Sequence, residues 1–172
     1  LAALGGVRLA QREPAAGWQA LTEAAELLPQ VGLPWHRGGT LTQLAAGRLL
    51  LGEAEVSLAA ADEAIRLAGE EDLRETRAHG LWLRGRALLA LDRLDEAADA
   101  LQAGLTQAGA IGHLWLHWQL RRAQAQLAQS LNDAEAENAA QDAAQALAAQ
   151  LETDLAATPQ ALASFRRLHP AS

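Results

Sequence analysis

The amino-acid sequence predicts an all-α protein, because three observations agree. Half of the 172 residues are hydrophobic, and most of these are alanine and leucine, which are strong helix formers. Aromatic residues make up only 3% of the chain, and the β-branched residues that favour strands are scarce. A spacing of about 40 residues also recurs along the chain, which is typical of stacked helical hairpins.

Residues 41–69 and 81–109 have matching sequences, which align without a gap at a shift of about 40 positions. The sequence therefore predicts about four antiparallel helix hairpins in one domain over residues 1–172, followed by a capping helix. The expected hairpin ranges are about 1–29, 33–69, 73–109 and 113–155, and the expected capping helix is 158–168. The chain lacks methionine and begins with Leu1, so we expect it to be a fragment of a longer protein.

Cap residues mark the boundaries of the predicted helices. A residue type that favours the N-cap recurs at the repeat interval, and an acidic residue follows three positions after it. These pairs are Gly52 with Glu55, Asp92 with Asp95, and Asn132 with Glu135. We therefore expect a tight turn inside each hairpin and a looser connection between hairpins. Thr158 and Pro159 are the expected N-cap and first residue of the capping helix.

Gly85 lies inside a predicted helix, where glycine costs about 1 kcal/mol relative to alanine. Gly85 and Ala97 are placed symmetrically about the turn at Asp92, and Ala45 and Ser57 hold the same places one unit earlier. The two helices of a hairpin approach most closely where small residues face each other. We therefore interpret Gly85 as a packing residue.

The last predicted unit departs from the others. Its second helix keeps an apolar stripe only if the register shifts by about one residue. This stripe consists of Ala136, Ala140, Ala143, Leu147 and Leu151. Phe165 lies on the apolar face of the short terminal helix, and we expect it to cover the open end, since stacked repeats need a cap.

The repeated helix pairs resemble tetratricopeptide-type repeats. The residues that carry this likeness best are Leu81, Gly85, Leu88, Asp92, Ala97, Leu101 and Leu105. The long, alanine-rich unit is similar to the helical-repeat region of large bacterial regulators, namely the ATP-dependent LuxR-type and the SARP/BTAD-type activators. The resemblance implies a right-handed superhelix that binds a protein segment or a small effector on its concave face. It also implies a transcriptional regulator whose ATPase and DNA-binding domains lie elsewhere in the parent chain.

In such a superhelix, the first helix of each hairpin lines the concave face. The candidate partner-binding residues on that face are His79, Trp82, Arg86, Gln119, Arg122 and Gln126; the corresponding places one unit earlier are Gly39, Thr42, Ala46 and Leu49. Arginine pairs with carboxylates and tryptophan offers a flat contact surface, so this set would suit an acidic peptide or an anionic effector. The alternative is that Trp82 completes the core and that the arginines are solvated.

Composition and spacing argue against several other functions. All 14 basic residues are arginine, so Schiff-base and P-loop lysines are absent, and no cysteine is available for zinc or disulfides. The net charge of −7 argues against direct nucleic-acid binding. No apolar run is long enough to span a membrane, and no signal peptide opens the chain, so we expect a cytoplasmic protein. We also expect no enzyme, because the acidic residues do not converge with a nucleophile motif.

A metal site and a cofactor are likewise not expected. His113 and His117 lie four positions apart on one helical face, but zinc needs a third ligand, for which only Glu70 or Glu71 could be suggested. For the function itself two interpretations stay open, a sensor that signals to other domains of its parent chain and a constitutive scaffold for multiprotein assembly. Homo-oligomers are also possible, through the end of the array at residues 1–13.

Overall fold

The computed structural model describes residues 34–168, together with Gln19, Thr22, Glu23 and Leu27. This part is all-helical and contains no strand, which confirms the predicted fold class. The first predicted hairpin, residues 1–29, lies outside the described residues apart from those four. The helices are α1 Pro34–Leu50, α2 Ala54–Glu70, α3 Arg74–Ala90, α4 Leu94–Ala110, α5 Leu114–Ser130, α6 Ala134–Leu155 and α7 Pro159–Leu168.

The helices pack in series along the chain. Each helix contacts the next one, and the first helices of successive pairs also contact each other, α1 with α3 and α3 with α5. The second helices α2, α4 and α6 make no comparable contacts among themselves in the described part. No helix of the described residues is long and apolar enough to cross a membrane.

Five successive connections share one turn geometry, which corrects the predicted alternation of tight and loose turns. In each turn, one residue has a left-handed backbone, with φ between 50° and 78°. The amide of the following residue then donates to the carbonyl five positions earlier, as from Arg93 to Leu88 at 2.9 Å. This is the Schellman arrangement that ends a helix. The left-handed residues are Gly52, Asp72, Asp92, Gly112 and Asn132.

The predicted N-caps were wrong by one position for this reason. Gly52, Asp92 and Asn132 end the preceding helix, and the N-caps are the residues that follow them, Glu53, Arg93 and Asp133. Among these three, Asp133 caps with its side chain, which accepts a hydrogen bond from the amide of Ala136 at 3.0 Å. Glycine, aspartate and asparagine tolerate the left-handed region and also favour N-caps, so residue type alone does not separate the two positions.

The core between the helices consists mainly of alanine and leucine, with Leu83, Leu88 and Leu101 almost completely inaccessible. A Cβ added to Gly85 would lie 2.5 Å from Cδ2 of Leu101, so the absent side chain makes room for that leucine. Gly85 thus has a packing role, and the group that occupies its Cβ position is Leu101 rather than Ala97. In the preceding pair, Ser57 donates a hydrogen bond to the carbonyl of Ala45 at 2.7 Å, so those two small residues do face each other.

The last helix pair differs from the others, as the sequence suggested, and its buried stripe agrees with the predicted one at Ala140 and Leu151 but not throughout. Helix α6 has 22 residues, and its buried residues are Ala140, Ala144 and Leu151. Ala144 replaces the predicted Ala143, and Ala136 is exposed. Phe165 on α7 lies against Trp118 of α5, with 5.4 Å between the ring centroids, and so covers the end of this pair.

Candidate functional site

The structure brings the predicted partner-binding residues together on one side of α3 and α5. Positions 79, 82 and 86 lie on one face of α3 because they follow the helical period, and positions 119, 122 and 126 repeat that spacing on α5. Because α3 and α5 pack side by side, the two faces adjoin. They form a cleft of about 220 Å³, which we call the α3–α5 cleft, lined by Trp82, Arg86, Gln119, Arg122, Ala123 and Gln126.

A second cleft adjoins the first one. The α1–α3 cleft measures about 440 Å³, and His79 lines it together with Glu75. Three of the places expected one unit earlier, Gly39, Thr42 and Ala46, contribute its α1 side. Trp82 borders both clefts, so all six candidate residues lie along one surface.

Two arginines of the α3–α5 cleft stand over tryptophan rings. The Cζ atom of Arg86 lies 5.4 Å from the ring centroid of Trp82, and that of Arg122 lies 5.0 Å from the centroid of Trp118. A guanidinium group over an indole ring is held in position without using its N–H donors. The cleft therefore presents positive groups that are oriented before a ligand arrives.

Arg86 differs from most arginines of the protein in its electrostatic environment. Seven other arginines form an ion pair with a carboxylate, whereas Arg86 has no carboxylate within ion-pair distance in the described part. Burial, and secondarily the positive charge of Arg122, lower the pKa of Arg86 below its ordinary value. The cleft thus concentrates positive charge in a protein whose net charge is −7.

The indole nitrogen of Trp82 is also left without a protein partner. Trp82 is only 8% exposed, and its Nε1 atom is buried with no hydrogen-bond acceptor among the described residues. A buried N–H group without an acceptor costs about 1–3 kcal/mol. Trp82 belongs to the core, as the alternative interpretation expected, and it also borders the two clefts.

At the other end of this surface, three side chains that could bind a metal ion lie close together, those of Glu75, His79 and His113. Each offers one possible ligand atom, and these atoms all lie within 4.8 Å of one another. Nδ1 of His79 lies 3.1 Å from the backbone carbonyl of Glu75. Since a carbonyl only accepts, Nδ1 carries the proton and Nε2 keeps a lone pair. Burial is the largest factor in lowering the pKa of His79, and the neighbouring His113 adds to it.

His113 begins α5 and has two polar contacts. Its Nδ1 accepts a hydrogen bond from the amide of Leu116 at 3.3 Å, which makes it the N-cap. Its Nε2 lies 3.5 Å from Oε1 of Glu75. Trp115 stacks on His79 with ring centroids 6.2 Å apart, so the aromatic rings join α3 to α5 at this point. The side chain of Trp35, which the repeat makes equivalent to Trp115, lies outside the described residues.

Sequence reasoning missed this convergence of three residues. It considered His113 together with His117, but in the structure the partners of His113 are Glu75 and His79, and the acid is neither Glu70 nor Glu71. Glu75 and His79 are one turn apart on α3, whereas His113 comes from the start of the next first helix. The sequence pattern that could have pointed to this group is the E-x-x-x-H spacing of Glu75 and His79, which places both side chains on the inner face of α3.

No model of a known protein family matches this chain, and a search of curated proteins gave no match either. The chemistry of the two clefts is therefore the guide to what they bind. Two guanidinium groups and two carboxamides line the α3–α5 cleft, and all four can donate hydrogen bonds.

Proposed function

We propose that this chain is a tetratricopeptide-like binding module whose α3–α5 cleft holds an anionic group of a protein segment or of a small effector. Arg86 is the observation that carries this proposal, because it is half-buried and has no carboxylate partner in the described part of the chain. A desolvated charge is costly unless it is paired. A carboxylate or phosphate in the cleft would pair with Arg86 and also meet Arg122.

The order of helix contacts supports the repeat architecture in this proposal. Within residues 34–168, first helices contact one another along the array and second helices make no comparable contacts, which is the arrangement expected when first helices lie on the inner side of a curve. The cleft residues all belong to first helices. We therefore propose a right-handed superhelix with α7 as its terminal cap and with both clefts on its concave face.

The two clefts together favour a protein segment over a compact effector. Trp82 borders both of them, so a ligand anchored at Arg86 can continue along α3 toward His79. Gln119 and Gln126 line the α3–α5 cleft and can donate to backbone carbonyls of an extended segment. An acidic peptide supplies carboxylates for the arginines and carbonyls for the glutamines.

In its biological role, we propose that the module belongs to a bacterial regulator. The module would act by binding rather than by catalysis, and would pass the binding event to other domains of its parent chain. The support is the resemblance of the alanine-rich repeats to the helical arrays of LuxR-type and SARP/BTAD-type activators.

A peptide-binding experiment on the full 172-residue chain tests the cleft. Peptides rich in aspartate and glutamate are compared with matched peptides in which asparagine and glutamine replace the acids. Binding is followed by calorimetry and by the melting temperature, which rises when a ligand binds the folded state. We expect the acidic peptides to bind and the neutral ones to bind at least about 10-fold more weakly, the loss of one charged contact.

Matched double variants identify the arginines responsible. Arg86→Ala/Arg122→Ala removes two positive charges from the cleft, and Arg77→Ala/Arg121→Ala removes two from the same helices at positions that do not line it. We expect the first variant to lose binding and the control to keep it within about threefold, since charges that do not contact the ligand act weakly through solvent. Equal losses in both variants, or no loss in the first, would contradict the proposal.

A further inference from the structure

We infer that Glu75, His79 and His113 form a binding site for a zinc-type divalent ion at the edge of the α1–α3 cleft. This inference departs from the sequence-based expectation that the chain has no metal site. It does not depend on the anion-binding function proposed for Arg86 and Arg122, because neither arginine belongs to the group of three.

The donor set and its spacing fit zinc. Two imidazole nitrogens and one carboxylate, with a fourth position left open, are a ligand combination that zinc uses in proteins. Zn–N and Zn–O bonds of about 2.0–2.1 Å place tetrahedral ligand atoms about 3.3 Å from one another. Nε2 of His113 and Oε1 of Glu75 are 3.5 Å apart, and all three ligand atoms lie within 4.8 Å, so small side-chain rotations close the site.

His79 is oriented as metal-binding histidines usually are. A ligating histidine commonly donates its other ring N–H to a carbonyl or carboxylate, which fixes the tautomer and the direction of the lone pair. Nδ1 of His79 donates in this way to the backbone carbonyl of Glu75, and Trp115 stacks on the ring. The lone pair at Nε2 is thus available before an ion arrives.

His113 would change tautomer when it binds the ion. In the structure its Nδ1 accepts from the amide of Leu116, so in the neutral ring Nε2 carries the proton. Ligation through Nε2 removes that proton, and Nδ1 then carries one instead and releases the amide of Leu116. The released bond is long, at 3.3 Å, and an amide in the first turn of a helix can bond to water in its place.

The position of the site suggests how an ion would act. Glu75 and His79 line the α1–α3 cleft, so the ion would lie beside a segment bound there; this step, unlike the site itself, rests on the proposed function. A carboxylate or a carbonyl of that segment could become the fourth ligand. The ion and the bound segment would then strengthen each other's binding.

Zinc titration of the untagged 172-residue chain at pH 7.5 tests the site. We expect calorimetry to give one ion per chain, and cobalt substitution to give the visible absorption of a low-symmetry, four- or five-coordinate ion. His79→Gln and His113→Asn should each weaken zinc binding by more than about 100-fold, since even a lost second-shell partner costs 10–100-fold. Asparagine is a good N-cap, so the second variant keeps the start of α5 folded.

His117→Gln is the matched control, because His117 lies one turn along α5 but outside the group of three. We expect it to bind zinc within about twofold of the original chain, since it removes no ligand. If His117→Gln weakens binding as much as His79→Gln does, the ion is held by the His113–His117 pair and the inference is wrong. A flat titration, or one ion shared by two chains, would also overturn it.

Discussion

Helices α3 and α6 belong to two successive predicted hairpins, 73–109 and 113–155, yet they have very different environments. Helix α3 buries eight of its 17 residues, whereas α6 buries three of its 22. The reason is the number of neighbours, since α3 contacts α1, α2, α4 and α5, while α6 contacts only α5 and α7 in the described part. A helix that is surrounded on several sides has room for few polar residues. The polar residues that α3 does carry are therefore the ones to consider when looking for a binding site.

The charged residues of the two helices show the same contrast. Glu152 on α6 is exposed to solvent for much of its surface and pairs with Arg166 on α7 at 2.8 Å. Arg86 on α3 is half-buried and lacks such a partner among the described residues. A charge that is paired at the surface needs no further explanation, whereas a desolvated and unpaired one is costly, and the proposal of an anionic ligand rests on that difference.

The largest expected change in stability comes from shortening a leucine, and we compare one leucine of α3 with one of α6. Leu88 of α3 is 0% exposed, so Leu88→Ala should lower the free energy of unfolding by about 3–5 kcal/mol. Leu147 of α6 is only partly buried, and Leu147→Ala should cost less than about 2 kcal/mol, because its surroundings are already open to water. Urea unfolding followed by circular dichroism measures both values. Similar losses would mean that α6 is held as firmly as α3.

The next effect tests the glycine inside α3. Gly85→Ala should cost about 1–3 kcal/mol, because its Cβ would lie 2.5 Å from a buried atom of Leu101. Gly109→Ala on α4 is the control, since nothing lies within 4 Å of its added Cβ, and alanine should stabilise that helix by up to about 1 kcal/mol. Combining Gly85→Ala with Leu101→Ala should cost less than the two separate losses together. Strictly additive losses would show that the two residues do not compete for space.

Much of the fold was predictable because its signals are local. Alanine and leucine at a helical period indicate the helices, and left-handed residues recur wherever a helix ends. Asp72 and Gly112, which end helices in the same way, have the residue types of Asp92 and Gly52 and continue that series at 20-residue intervals, but a comparison at a 40-residue shift separates the two kinds of turn. One three-residue turn therefore serves both kinds of connection.

The two ends of the candidate site differ in how predictable they were. The faces that carry Arg86 and Arg122 follow from helical spacing once the core positions are known, and the structure brings both arginines to one cleft. The approach of His113 to Glu75 depends on how far the start of α5 reaches along α3. The position of α5 along α3 is set by tertiary packing, which cannot be read from a single sequence.

A smaller change in stability is expected at the repeated turn, which ends α3 at Asp92 and precedes α6 at Asn132. Asp92 and Asn132 have φ of 58° and 57°, a region that costs residues other than glycine about 1 kcal/mol. Asp92→Gly and Asn132→Gly should therefore each stabilise the protein by up to about 1 kcal/mol, and Asp92→Ala should destabilise it. Thermal unfolding measures these changes. Because the backbone strain is local, the two glycine variants should raise the melting temperature by similar amounts. A clear difference between them would show that contacts with neighbouring helices contribute to the strain.

The smallest effect is the pH dependence of the contact between α6 and α7. Arg166 donates two hydrogen bonds to the carboxylate of Glu152, at 2.8 and 3.0 Å, and this lowers the pKa of Glu152 below its ordinary value. A lowered pKa in the folded state means that the contact stabilises the fold above the unfolded-state value, about 4.3, and that this contribution is lost as the pH falls through the folded-state value.

Helix α7 should therefore remain docked from pH 7 to about pH 5 and loosen only in more acidic solution, by a small amount because the pair is exposed. The indole N–H resonance of Trp118 reports this change, since its ring lies against Phe165 of α7. Glu152→Gln removes the titrating group, so its Trp118 resonance should already be shifted at pH 7 and should change little on acidification. If the variant follows the same pH curve as the original chain, another carboxylate controls the docking of α7.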